Sequence, residues 1–193
     1  MSKVFIAAAG AALIALGASG LAWSEHDDDD DHDRKGHREG KGLMARGDLA
    51  PVTNAQYRTE CGGCHFAFQP GLLPAASWAQ VMGTLDNHFG DDATLDPAVN
   101  AELLTYLEGN AADRNDRVRS RAFAARPTKG EGPPRITQTA YFQRKHDEVP
   151  ARYVKNNPKV GSFGNCQACH RGADTGDFSE DQVNIPGVGR FED

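Results

Sequence analysis

A mainly α-helical chain of two unequal halves is predicted from three observations. Residues 43–112 carry capped helical stripes, residues 113–135 break sharply in composition, and residues 136–193 hold one short helix amid loop. With 193 residues there is room for one ordinary domain or two small ones. Hydrophobic content is 39% and mean hydropathy is -0.58, low for a chain that must build two cores from side chains alone. A bound group with apolar surface of its own would ease that shortage.

Residues 1–24 read as a signal peptide. Lys3 supplies a positive start, VFIAAAGAALIALGASGLA an apolar centre, and Ala22-Trp23-Ser24 places small residues at the cleavage exit. The competing reading is an uncleaved anchor, because the apolar run is marginally long enough to span a bilayer. Its Ala/Gly richness and small-residue exit favour cleavage before Glu25, and with it a periplasmic protein that meets membranes only through partners. Lys3 is the only charge removed, so the net charge goes from -6 to -7. That sign argues against a nucleic-acid partner.

Residues 25–42, EHDDDDDHDRKGHREGKG, contain no apolar side chain and form a disordered Asp/His-rich leader by composition. Its His26, His32 and His37 could bind a divalent metal only weakly, since nothing fixes their geometry.

Residues 43–112 are expected to form a compact helical unit. Thr53-Asn54-Ala55-Gln56 reads as a capping box with Thr53 as N-cap, opening a helix through Tyr57 into Cys61 and Cys64. After Pro70 and Pro74, the run AASWAQVMGTLDNHF places Trp78, Val81, Met82, Leu85 and Phe89 on one helical face. Asp96-Pro97 is an N-cap with proline at the first helical position. Val99, Leu103, Leu104 and Leu107 then form a buried stripe that Gly109 can end.

Residues 113–135 hold seven basic residues, three acidic ones and three prolines, the composition of a linker. Arg117, Arg119 and Arg121 make it the one basic surface of an acidic protein. They either meet an acidic partner, neutralise acidic groups of a bound cofactor, or solvate the linker. Residues 136–193 contain one plausible helix, TAYFQRKHDEV, closed by Pro150. So short and irregular a segment would hardly fold without a cofactor.

The four cysteines fall as Cys61-Gly62-Gly63-Cys64-His65 and Cys166-Gln167-Ala168-Cys169-His170. C-x-x-C-H is the attachment signature of c-type haem. Two thiols one helical turn apart each form a thioether to a haem vinyl group, and the adjacent His projects under the macrocycle as a ligand to iron. Two local disulfides would leave both histidines as coincidence. A four-cysteine zinc site would need far closer motifs, and a thioredoxin-like pair would need a βαβ context. Two motifs that consume every cysteine therefore point to two covalently bound haem c groups, with Cys61, Cys64, Cys166 and Cys169 binding the cofactor and His65 and His170 the iron.

Outside the motifs and the leader two histidines remain, His88 and His146, lying 23 residues after His65 and 24 before His170. Two spare histidines for two irons suggest two bis-histidine haems, each closed within its own half. Met82 is the rival for the first iron, because it shares the predicted helix with His88. The second half contains no methionine, and only Met44, far upstream, is left besides.

The C-x-x-C-H motif followed by LPAASWAQVM, HFG and TYLEG, and then RITQTAYFQRKHDEVP and SFGNCQACHRGADTGDFSEDQVNIPG, resembles the soluble periplasmic dihaem cytochrome c family over roughly residues 48–190. The resemblance implies a class I cytochrome c-like N-terminal haem domain, a smaller, loop-rich C-terminal haem domain, and ligand pairs His65 with His88 and His170 with His146. It also implies redox partner proteins, a small oxygen-binding monohaem cytochrome or a membrane cytochrome b. The expected function is one-electron transfer without catalysis. A permanently bound electron-transfer subunit of a reductase is the alternative. A dihaem peroxidase would need an openable iron and a positioned acid or base, and no such constellation is visible.

Overall fold

In the computed structural model, residues 48–125 and 132–191 are described. The signal peptide, the leader, Met44 and residues 126–131 of the linker fall outside them. The described chain is mainly helical: α1 Ala55–Gly62, α2 Ala75–Met82, α3 Pro97–Gly109, α4 Val118–Ala124, α5 Ala140–His146, α6 Ala151–Val154 and α7 Cys166–Cys169. Short 3-10 turns join several of them. Among the described residues the one small sheet is an antiparallel pair, β1 Asn184–Ile185 with β2 Gly189–Arg190, in register Asn184 to Arg190. Among the described residues no helix is long and apolar enough to cross a membrane.

α1 starts one residue later than a Thr53 capping box would place it. Asn54 is the cap: its extended backbone sets Oδ1 to accept the Tyr57 N–H at 2.8 Å. Thr53 instead donates its own N–H to the Tyr106 hydroxyl at 3.2 Å. The helix stops at Gly62, so Cys64 and His65 lie beyond it. Two consecutive glycines, each costly in a helix, explain the early stop.

α2 follows Pro74, which offers no side-chain cap. Asp113 takes that role from 38 residues away, accepting the Ala75 N–H at 2.9 Å. Trp78, Val81 and Met82 are buried, and the Trp78 indole N–H donates to the Pro70 carbonyl at 2.7 Å. The predicted single helix through residue 89 is not formed. Gly83 ends α2, Leu85–Asn87 is a 3-10 turn, and His88 leaves that turn with non-helical backbone, φ -73° and ψ 81°. His88 and Met82 therefore do not share a helix.

α3 matches its predicted start, with Asp96 Oδ1 accepting the Ala98 N–H at 2.8 Å. It packs on α2 through Leu103 and Leu107, 0% and 1% exposed. Each such leucine stabilises the fold by about 1.5–3 kcal/mol relative to exposure. Val99 and Leu104, on the flanks of the stripe, are only half-buried.

The predicted linker contains α4, whose Ser120 and Phe123 are buried. Arg119 points inward. Its Nη2 donates to Asp48 Oδ2 at 2.7 Å and its Nη1 to the Tyr141 hydroxyl at 3.0 Å. α4 lies so close to the Pro70–Leu72 turn that a Cβ on Gly71 would meet Ser120 Oγ at 2.5 Å. Gly176, at φ 78°, is likewise required, because a side chain there would collide with the Leu49 carbonyl.

α5 is capped by Thr139, whose hydroxyl accepts the Phe142 N–H at 3.2 Å. It ends at His146, short of the predicted Val149, and Pro150 opens α6. Most of the buried apolar side chains, from Leu49 to Phe178, form one cluster drawn from both halves of the chain; Val154, Val160 and Ile185 lie outside it.

Candidate functional site

The first C-x-x-C-H loop leaves α1 and turns at once toward the segment after α2. The His65 and His88 rings lie with centroids 6.0 Å apart and planes 19° from parallel. His65 Nδ1 lies 2.7 Å from the Phe66 carbonyl. A carbonyl can only accept, so Nδ1 carries the proton and Nε2 keeps its lone pair. His88 is fixed through its backbone, donating its N–H to the Asp91 carbonyl at 2.7 Å and accepting from the Asp91 N–H at 3.3 Å. Phe68 lies 5.2 Å from the His65 ring.

Met82, the rival to His88, is 4% exposed within the core cluster. Its carbonyl accepts the Asn100 side-chain N–H at 3.1 Å, tying α2 to α3.

The second loop is the single turn α7, closed by the His170 N–H donating to the Cys166 carbonyl at 2.8 Å. The His170 ring lies 6.1 Å from that of His146, at 71°. His146 stacks on Phe142, four residues earlier, at 3.9 Å and 10°, and its Nδ1 lies 2.9 Å from the Phe142 carbonyl. The same tautomer logic leaves its Nε2 with a lone pair. Cys166, Cys169, His146 and His170 line one cleft, walled by apolar side chains such as Phe123, Ile136, Phe142 and Val160. His170 Nδ1 is buried with no hydrogen-bond partner in the protein, a cost that a native site does not usually leave standing.

Electrostatics favour neutral ligands. His170 is pushed down to about 4, by burial first and then by His146 and Arg119. His88 is lowered by burial, His65 and Arg135. An imidazole without its second proton is the form that binds metal. Burial raises the thiols: Cys166 to about 12 and Cys61 to about 11, the latter with help from Glu60. Cys169 is also raised by burial. None of the four cysteines forms a disulfide.

The two ring gaps have the width that one metal ion bound on both sides requires. Metal–imidazole bonds of about 2.0–2.1 Å account for most of each gap, and what remains is about one ring radius per histidine. No three His, Cys, Asp or Glu side chains converge into a metal cage among the described residues. Each gap could take one metal ion between its two imidazoles, and a macrocycle joined to the neighbouring cysteines would supply the remaining donors. These residues fit a covalently held haem at both places.

The eight residues singled out in the sequence thus gather as two sets of four, one in each half. Phe142 and Phe163, which wall the second cleft and flank His146 at 3.9 and 5.9 Å, were not singled out. The four-residue spacing of Phe142 to His146 on one helix was the available signal for the first. Phe163 carries no comparable signal.

A family model described as dihaem cytochrome c matches residues 57–178, a span that includes both motifs, His88 and His146. Among solved structures, the chain is similar to a diheme cytochrome type c from Shewanella baltica OS155, with 47% identity, a TM-score of 0.60, and coverage of 72% of this chain and 98% of that one. It is also similar to diheme cytochrome c from Rhodobacter sphaeroides, with 42% identity, a TM-score of 0.57, and coverage of 67% and 100%. No curated protein matches the chain.

Proposed function

The chain belongs to the dihaem cytochrome c family and carries two covalently attached haem c groups, and from that premise we propose that it is a periplasmic carrier of single electrons through two bis-histidine irons. Haem supplies a one-electron iron couple when bound. Cys61 and Cys64 tether the first group and Cys166 and Cys169 the second. His65 and His170 hold the proximal faces of the irons, and His88 and His146 close the distal ones.

The observation that carries this reading is the second imidazole set about 6 Å across from each motif histidine. With both axial positions filled, no position is open for a substrate, so electron transfer is what the site can do. Two imidazoles also favour a lower potential than a His/Met pair, which suits donation to a redox partner protein. The partner fits the description of a small monohaem cytochrome or a membrane cytochrome b. Export rests on the composition of residues 1–24 and is required for the partner encounter proposed.

The test is ligand deletion in the holoprotein. His146→Ala should keep both thioethers of the second haem yet turn that haem partly high-spin and let it bind carbon monoxide when reduced. His88→Ala should do the same at the first haem. If both variants remain low-spin and exclude carbon monoxide, the bis-histidine reading is wrong.

A further inference from the structure

Phe89 is the one non-glycine residue with positive φ, 58°, among the described residues. An aromatic side chain in left-handed backbone is strained and marks a place where the surroundings over-determine the conformation. It follows directly on His88. The turn around it is tightly bonded: the Phe89 N–H donates to the Asn87 carbonyl at 2.8 Å, and Asn87 Oδ1 accepts the Gly90 N–H at 3.2 Å. None of these bonds involves the Phe89 side chain.

That side chain is held from two directions. Its ring lies 4.8 Å from the His88 ring, edge to face. The Arg135 guanidinium sits over it at 4.0 Å, well inside cation–π range. Arg135 is itself anchored. It follows Pro133-Pro134, its carbonyl accepts the Gln138 N–H at 3.0 Å, and the next residue, Ile136, is buried in the wall of the second cleft. The last residue of the linker, fixed to the first turn of the second half, therefore reaches over to the ring beside His88.

We infer that Arg135 is a positioning residue for the first haem: stacked on Phe89, it holds the strained turn that keeps the His88 imidazole opposite His65. The inference rests on His88 being the distal ligand. The guanidinium also brings a fixed positive charge next to the site, since it lies over the ring that touches His88. A cation there disfavours the oxidised iron, which is the more positive form, and so raises the potential of the first haem.

The test compares Arg135→Gln, Arg135→Lys and His88→Ala as holoproteins, following carbon monoxide uptake by the reduced protein and the potential of each haem in a redox titration. His88→Ala opens the first haem. Arg135→Gln leaves it closed at rest but accelerates its carbon monoxide uptake and lowers its potential, with the second haem unchanged as the check on folding. Arg135→Lys returns the potential toward wild type by restoring the charge, and recovers less of the carbon monoxide exclusion because it lacks the planar stack. If His88→Ala opens the first haem but Arg135→Gln excludes carbon monoxide as wild type does, or its first-haem potential does not fall, the inference is overturned while the ligand reading stands. If His88→Ala leaves the first haem closed, the ligand reading falls and takes the inference with it.

Discussion

His65 and His88 present nearly parallel rings, 19° apart across a 6.0 Å gap, whereas the other histidine pair crosses at 71° over 6.1 Å. The difference arises in the local backbone. His88 leaves a 3-10 turn with non-helical backbone, while His146 is the last residue of α5 and is fixed flat against Phe142. Parallel imidazoles donate π density along one shared axis and split the iron d orbitals, whereas crossed imidazoles leave them close in energy. Electron paramagnetic resonance of the oxidised protein is therefore expected to show one rhombic low-spin signal and one strongly anisotropic one. Two identical rhombic signals would contradict the crossed arrangement at His146 and His170.

The cap of α1 separates two neighbouring residues. Asn54→Ala removes the acceptor of the Tyr57 N–H and is expected to cost about 0.5–2 kcal/mol of stability. Thr53→Ala leaves that bond in place and is expected to stay within about 0.5 kcal/mol of wild type. Denaturant midpoints of the two holoprotein variants measure the difference, and equal losses would restore Thr53 as the cap.

Arg119 is expected to behave as an internal strut. Its side chain is 19% exposed and its ion-pair partner Asp48 34%. It also donates to the Phe178 carbonyl at 3.3 Å, while the Phe178 N–H donates to Asp48 Oδ2 at 3.1 Å. Arg119→Met breaks this network and should cost roughly 1–3 kcal/mol, toward the lower end because Asp48 is partly solvated. Arg121, exposed on the same helix, is expected to tolerate Gln within about 0.5 kcal/mol. Equal stability loss at both positions, read from unfolding midpoints, would count against the strut.

The covalent chemistry was legible because attachment needs adjacent residues in a fixed spacing, and so was much of the helical core. Trp78, Val81, Leu103 and Leu107 are buried as their periodicity requires. What could not be read depends on partners remote in sequence. Asp113 replaces a cap that Pro74 cannot provide, and Arg119 turns inward to reach Asp48, 71 residues away. Periodicity also extended α2 through a glycine that ends it. It thereby placed His88 on a helix with Met82, when a strained turn at Phe89 sets the imidazole instead.

Near-infrared magnetic circular dichroism of the oxidised protein tests the central claim most directly, because its charge-transfer band reports the axial ligand pair of low-spin iron. Both irons are expected at the position of bis-imidazole ligation, with no second component. A band at the His/Met position accounting for one iron would replace His88 by a methionine, and with it the bis-histidine carrier proposed for this chain.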